Sequence, residues 1–426
     1  MIDHTLSELP KTVLFFTTAV VEIDNFLPIF EIMKRRSDKF RPIIVSLDYG
    51  KSYVETPFIR SIVDPDDIHS IFEFIEITPM RILLTQLSRL ASRLHDRKIK
   101  NGEKLLERYS AKFIRFLMRR FIDILPNGCC NKKLEEYDLW ILSPGIMSSF
   151  KTHTVPVFAG LISAHSGLYR KIVFFPETFD QFINRKEFSD LPNLSSWNQT
   201  RLVLSRGDIS SRIELVESIP VLDIGSPRYS KYWCERIHSF SSSSRRFSSH
   251  NSIVLYLPIK ASPPEPWMVE EVERLDKELF SLLNLYDNIQ IVIKPHPRTV
   301  DAYKNVSRFT DHLDRVTVVP ENVDTASISA SCSLCISGGT SFIPHLLWLN
   351  IPVVLSAGWA ERQDLVFLYD KCCFKWNDLP KLIEILQKKT NIPRKCSHRQ
   401  LNQWFECGIP SDDYQRYLEQ KILKIG

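Results

Sequence analysis

The feature that most constrains this chain is a rhythm that runs twice. Short apolar runs rich in β-branched and aromatic residues alternate with segments long enough for a helix. In the first half the runs are Lys11 to Val21, Pro42 to Leu47, Leu139 to Leu142, Lys171 to Phe175, Arg201 to Leu204 and Pro220 to Ile224. Asn25 to Arg36 reads as a helix between the first two, which makes a βαβ opening. In the second half, strands are expected at Ile253 to Leu257, Ile289 to Lys294, Val316 to Val319, Leu334 to Ser337 and Val353 to Leu355. Helices are expected at Trp267 to Leu285, Asp324 to Ser331 and Ser341 to Leu349. Runs of this kind are strands of a parallel sheet covered by crossover helices, so the chain is α/β.

At 426 residues the chain is too long for one core and suits two domains. The sequence places the break at Ser239 to Ser252, SFSSSSRRFSSHNS, whose composition suits a flexible connection. The expected division is an N-terminal domain over residues 1–238, a linker over 239–252 and a C-terminal domain over 253–426. Nine cysteines at irregular spacings do not make a secreted disulfide framework and fit a reducing cytoplasm. Cys332 and Cys335 match C-x-x-C but lie in an apolar strand, which suits structural thiols better than a zinc site. The N-terminal apolar run follows Asp3 and Glu8 without a basic leader, so it reads as a first strand. No run approaches the ~20 apolar residues of a membrane span.

Candidate chemistry collects at two loops. Ile291 to Val300, IVIKPHPRTV, carries a strand into Lys294, Pro295, His296, Pro297 and Arg298, three potential cations held by two prolines. Ser337, Gly338, Gly339, Thr340 and Ser341 join another strand to a helix. Their glycines let backbone N–H groups approach an anion, the hydroxyls add donors, and Ser341 can cap the helix. Both loops sit at carboxyl ends of strands, where ligands of open α/β sheets bind. Lys294, His296 and Arg298 suit charge-assisted bonds to a phosphate.

These paired loops, KPHPR and then SGGTS…HLLWLNIPVV, resemble the donor domain of GT-B-fold transferases that build bacterial surface polysaccharides such as capsule and lipopolysaccharide. The likeness is to CDP-glycerol glycerophosphotransferases, bacterial sialyltransferases with a His-Pro motif, and Kdo transferases. Asp223 to Tyr229, DIGSPRY, resembles the Gly-x-Pro segment preceding the interdomain connection there. The resemblance spans Ile219 to Leu355. It implies two Rossmann-like domains with parallel sheets facing a central cleft, a donor phosphate at His296 and a nucleotide-side phosphate at Ser337 to Ser341. It also implies a nucleotide-activated donor as substrate, with cytidine slightly favoured, and no metal or other cofactor. The acceptor it implies is a cell-surface glycan or a lipid-linked molecule. SGGTS also resembles the phosphate loop of UDP-GlcNAc 2-epimerases, whose Arg-Pro-Glu signature near the start is missing here. That makes an epimerase the alternative, with a non-catalytic nucleotide-sugar binding protein as the other.

A transferase needs a group to take the acceptor proton. Asp24 and Glu177 are the leading carboxylates, with Glu22 behind them, and Arg228 is a further cleft candidate. His345 reads as a packed helical residue. Asp64-Pro65-Asp66 formally contains Asp-x-Asp, but the following IHSIFEFIE reads as the start of a capped helix. A basic helical region over 80–121 completes the picture. Between Arg81 and Arg120, twelve Lys and Arg residues face three acids, a net +9, although the whole chain carries only +5. Amphipathic spacing there makes an anionic membrane surface the expected partner, on the inner face of the cytoplasmic membrane. Nucleic acid is not expected, since no reader motif accompanies the charge.

Overall fold

The structure is a computed structural model. It describes residues 9–17, 20–47, 57–74, 79, 81–87, 90, 113–114, 116–117, 136–142, 170–175, 202–205, 220–242, 252–258, 266–295, 314–319, 325–329, 331–338, 340, 342–356, 371–388, 390 and 392–425. The chain divides into two compact units. One holds Met1–Arg228 together with Phe405–Gly426, the other Tyr229–Trp404.

The first unit is built on a seven-stranded parallel sheet in the order β3-β2-β1-β4-β5-β6-β7. Its strands are β1 (Lys11–Thr17), β2 (Phe40–Ser46), β3 (Ile68–Ser70), β4 (Leu139–Leu142), β5 (Ile172–Phe174), β6 (Leu202–Ser205) and β7 (Val221–Asp223). Helix α1 (Val20–Arg35) packs on β1 and β2, and a short turn, α2 (Pro57–Arg60), follows β2. Strand alternation explains why both faces of β1 are apolar. Phe15 meets Phe26 and Phe30 of α1 at 4.9 and 5.5 Å, whereas its neighbour Phe16 packs on Trp140 of β4 at 5.3 Å.

One expectation changes here. Residues 65–74 do not form a helix; Pro65–Asp67 make a 3-10 turn, Ile68–Ser70 pair with β2, and Ile71–Phe74 make a second 3-10 turn. The open edge of β2 offers ladder hydrogen bonds that outweigh the local helix signal. Asp64 and Asp67 bind the ammonium of Lys34, Asp67 at 3.2 Å, so these carboxylates serve packing.

The second unit holds a five-stranded parallel sheet in the order β10-β9-β8-β11-β12. Its elements run α3 (Lys231–Ser242), β8 (Ser252–Leu257), α4 (Pro266–Leu285), β9 (Ile289–Ile293), β10 (Val316–Val318), α5 (Thr325–Ser329), β11 (Leu334–Ser337), α6 (Ile343–Trp348), β12 (Val353–Leu355), α7 (Leu379–Gln387) and α8 (His398–Phe405). On one face Val254, Tyr256, Ile291, Ile293, Ile336 and Val354 bury against Leu275, Leu279 and Leu283 of α4 and Leu382 and Ile383 of α7. Burial of this many aliphatic side chains, each worth about 1.5–3 kcal/mol, is the main stabilising term of this half.

The division falls after Arg228, ahead of the Ser-rich stretch. Tyr229 and α3 belong to the second unit, because the Trp348 indole donates to the Tyr229 carbonyl at 2.5 Å and α3 packs on α5 and α6. The C-terminal segment leaves the second unit. Helix α9 (Ser411–Leu423) returns to the end of β7, where Tyr414 donates to the Ile224 carbonyl at 2.5 Å and Tyr417 to the Asp223 carbonyl at 2.9 Å. Gly225 makes this return possible. Its φ is +67°, and a Cβ there would stand 2.4 Å from the Phe405 carbonyl oxygen, which accepts the Ser226 N–H at 2.7 Å.

Candidate functional site

In the second sheet the chain steps from β8 outward to β9 and β10, then returns to the other side of β8 to lay down β11 and β12. Crossovers therefore leave β8 and β11 in opposite directions, and the crevice outside their carboxyl ends is the topological switch point. The ladder continues one residue past each strand. The Lys294 N–H donates to the Tyr256 carbonyl at 3.0 Å, Gly338 to Leu257 at 3.0 Å, and Ser356 to Ser337 at 3.0 Å. These bonds fix where each loop begins.

Register then decides which side chains share a face. Ile293, Tyr256 and Ile336 form one row on the α4 face. The next row, Lys294, Leu257 and Ser337, points the opposite way. Lys294 and Ser337 thus stand on the two sides of Leu257, about 10 Å apart at two strand spacings. Both are buried, at 8% and 0% exposure. The row sets an ammonium and a hydroxyl, both able to donate hydrogen bonds to an anion, at the carboxyl edge of the sheet.

The SGGTS turn is anchored at both ends. Gly338 is tied to β8, and the Thr340 hydroxyl accepts the Phe342 N–H at 3.3 Å. The Thr340 bond lies within the turn, and Phe342 stands at the N-cap of α6 without a side-chain cap bond; Ser341, the expected cap, and Gly339 lie outside the described residues. Helix α6 is only six residues long, so donors in the loop carry more of any anion binding than a helix dipole would. His345 on α6 is buried, its ring 4.5 Å from Phe342.

His296 and Arg298 lie outside the described residues, as does Glu177, and nothing is described of the Glu22 side chain on α1. In the first unit Asp24 and Arg228 come together. Arg228 donates to Asn25 Oδ1 at 2.9 Å and to Asp24 Oδ2 at 3.4 Å, joining the segment after β7 to α1. Arg228 is 15% exposed and Asn25 3%, so this is a mostly desolvated tie between residues 203 and 204 positions apart. The sequence had no signal for it.

Ser356 was also missed. It is fully buried at the end of β12, next to Ser337, and its hydroxyl has no hydrogen-bond partner among the described residues. A serine closing an apolar strand was the available sign. The C-x-x-C thiols behave as core residues. Burial pushes Cys332 up to about 12 and raises Cys335 as well, which disfavours the thiolate a metal needs. Among the described residues, no group of three or more His, Cys, Asp or Glu side chains is placed to hold a metal ion.

No protein-family model matches the sequence, and no curated protein matches it either. Solved structures do match in fold. The UDP-GlcNAc 2-epimerase from Methanocaldococcus jannaschii superimposes with a TM-score of 0.55 at 12% identity, covering 98% of this chain and 100% of that one. The same enzyme in complex with UDP-GlcNAc and UDP gives 0.53 at 11% identity, with 98% and 100% covered. The UDP-N-acetylglucosamine 2-epimerase from Rickettsia bellii gives 0.53 at 10% identity, with 98% and 96% covered. At such identities the likeness establishes architecture: two parallel-sheet α/β units of the GT-B-like kind.

Proposed function

We propose that this chain is an enzyme acting on a nucleotide-activated sugar, and that it holds the donor diphosphate at the carboxyl edge of the second sheet. The observation that carries the reading is the buried row Lys294, Leu257, Ser337, which sets an ammonium and a hydroxyl on either side of the switch point. Lys294 neutralises a phosphate oxygen, and N–H groups and hydroxyls of the 337–341 turn donate the remaining hydrogen bonds to the phosphate. In sequence His296 and Arg298 follow Lys294 within five residues and add two further potential cations. Charge that grows on the diphosphate as a bond to it breaks is stabilised by these fixed donors.

For the reaction, the epimerase reading is favoured over transfer of a polyol phosphate. Its support is the whole-length fold likeness to UDP-GlcNAc 2-epimerases, one of them in complex with UDP-GlcNAc and UDP. The second reading, transfer of a sugar or polyol phosphate to a surface glycan, rests on the KPHPR segment. In either case Asp24 and Glu177 remain the carboxylates to test as bases, with Asp24 held beside Arg228.

Thermal-shift measurement with UDP, CDP, CMP and GDP, followed by NMR of UDP-GlcNAc turnover, tests the reading. UDP is expected to raise the melting temperature most, and the C2 epimer to appear without an acceptor. Replacing His296 by Ala is expected to lower kcat on the order of 10²-fold with folding intact. Stabilisation by CDP alone, with product only when a glycan acceptor is added, would select the transferase. Failure of every nucleotide to bind would overturn both.

A further inference from the structure

Most of the basic region over 80–121 lies outside the described residues, and no helix among the described ones is long and apolar enough to cross a membrane. The six cysteines of the second unit are all described, and all are free. Two of them meet beside the outer edge of its sheet. Cys372 leads into Phe374, whose N–H donates to the Val353 carbonyl at 2.7 Å and whose carbonyl accepts the Leu355 N–H at 3.0 Å, so this segment is tied to β12. Cys396 precedes α8. Its neighbour Lys395 donates to the Cys373 carbonyl and stands 5.8 Å from the Phe374 ring centroid. Two segments on either side of α7 in the sequence are thereby held together, and the Cys372 thiol hydrogen-bonds the Cys396 sulfur.

A buried thiol is ordinarily a small apolar side chain. Cys332, Cys335 and Cys407 fit that description, since burial raises all three. Cys396 differs. The S–H of Cys372 donates to it and holds it below its ordinary 9.0, and the same bond, with burial, raises Cys372. Cys396 is also the nearer of the two to water, flanked by exposed Lys395 and Ser397 and itself 8% exposed against 2% for Cys372. Thiolate character and a path for a small oxidant thus coincide at one sulfur, with a second sulfur in contact. A disulfide asks the two sulfurs to close to ~2.05 Å, which from hydrogen-bonding distance is a side-chain adjustment.

We propose that Cys396 and Cys372 form a reversible disulfide when the protein meets a peroxide, with Cys396 reacting first. The Cys396 thiolate attacks one peroxide oxygen, the O–O bond breaks, and the sulfur becomes a sulfenic acid as hydroxide departs and collects the proton that the thiol had released. The Cys372 sulfur then attacks the Cys396 sulfur. The S–S bond forms, the S–O bond breaks, and the leaving hydroxide takes up the Cys372 proton as water. Two thiols lose two electrons in all, and one hydrogen peroxide is reduced to two waters. The bond joins the start of α8 to the segment on β12 and closes a loop containing α7. A dithiol reductant reverses it. The inference is independent of the sugar-nucleotide reading, and its assay involves no turnover.

The full chain, reduced, is treated with hydrogen peroxide and mapped by mass spectrometry without reduction. A linked peptide pair holding Cys372 and Cys396, two hydrogens lighter than the free peptides and released by dithiothreitol, is expected. The oxidised chain should melt higher by ~2 °C or more, because the cross-link restricts the unfolded loop. In Cys372→Ser, dimedone should label Cys396 at least ~10-fold more than it labels Cys372 in Cys396→Ser. No linkage, or linkage of other cysteines instead, overturns the proposal, and this arm needs no variant. A fall in melting temperature on oxidation means that the unit must distort to make the bond, and overturns the ready pair. Equal dimedone labelling in the two variants overturns the order of attack.

Discussion

The two sheets share one plan and differ at their carboxyl edges. Around β1 the strands run 3-2-1-4-5, and around β8 the equivalent five take the same order. At the carboxyl ends of the first sheet's central strands stand Thr17, Leu47, Leu142 and Phe175, all buried and mostly apolar. The equivalent positions of the second are Leu257, Lys294, Ser337 and Ser356, also buried but three of the four polar. Topology therefore sets where a ligand can sit, while side chains at strand ends decide whether it is an anion. The first sheet differs again at its far edge. There β7 is closed by the returning C-terminal helix, and Gly225 permits the contact.

The largest effect should come from breaking that closure. Gly225→Ala forces a side chain into positive φ and against a backbone oxygen, and is expected to cost ~3 kcal/mol or more in urea unfolding. A loss below ~1 kcal/mol would mean that Phe405 and α9 move away easily, and that the return is not a fixed part of the first unit.

Next comes the contrast between edges. Lys294→Met is expected to weaken UDP binding on the order of 10²-fold, ~2.7 kcal/mol, in a variant that still folds. Leu47→Met, one residue past β2 in the first sheet, should leave UDP binding unchanged. Calorimetry on both variants decides; equal losses would erase the proposed difference between the two edges.

Arg228→Ala should cost ~1–3 kcal/mol by leaving the buried Asn25 amide oxygen without its donor, with UDP affinity retained. A double-mutant cycle with Asn25→Ala isolates the pair, and additivity would show that the tie contributes nothing.

The smallest effect is on pH dependence in the second unit. Burial, with Arg394 and Lys231 nearby, holds the His398 imidazole below its ordinary 6.5, and its Nε2 lies 3.0 Å from Asn350 Oδ1. The folded state thus prefers the neutral ring, and the unfolded chain takes up the extra proton first. This contribution is complete above pH 6.5 and is lost as pH falls through the lower folded value. Melts from neutral to mildly acidic pH should show a decline that His398→Gln flattens; parallel profiles would exclude the ring as its source.

The alternation of strands and helices was legible residue by residue. Leu334–Ser337 and Val353–Leu355 form strands with the expected bounds, and the helix expected from Trp267 begins at Pro266 and ends at Leu285. The placement of Lys294 and Ser337 at the ends of strands was also legible, since a cation after a β-branched run and glycines after another are local patterns; their role at a phosphate belongs to the proposal. Hydrophobic period and turn chemistry act over a few residues, and one sequence displays them directly.

What only the tertiary structure decided is pairing over long separations. Ile68–Ser70 became a strand because β2 had an open edge, against its local helix signal. Arg228 found Asn25, and Tyr414 found Ile224, across most of the first unit's sequence. The division after Arg228 likewise follows from Trp348 holding Tyr229, a contact that the composition of residues 239–252 does not encode. Such contacts depend on which surfaces meet once the sheets have formed, and the sequence marks them with at most a single glycine or arginine.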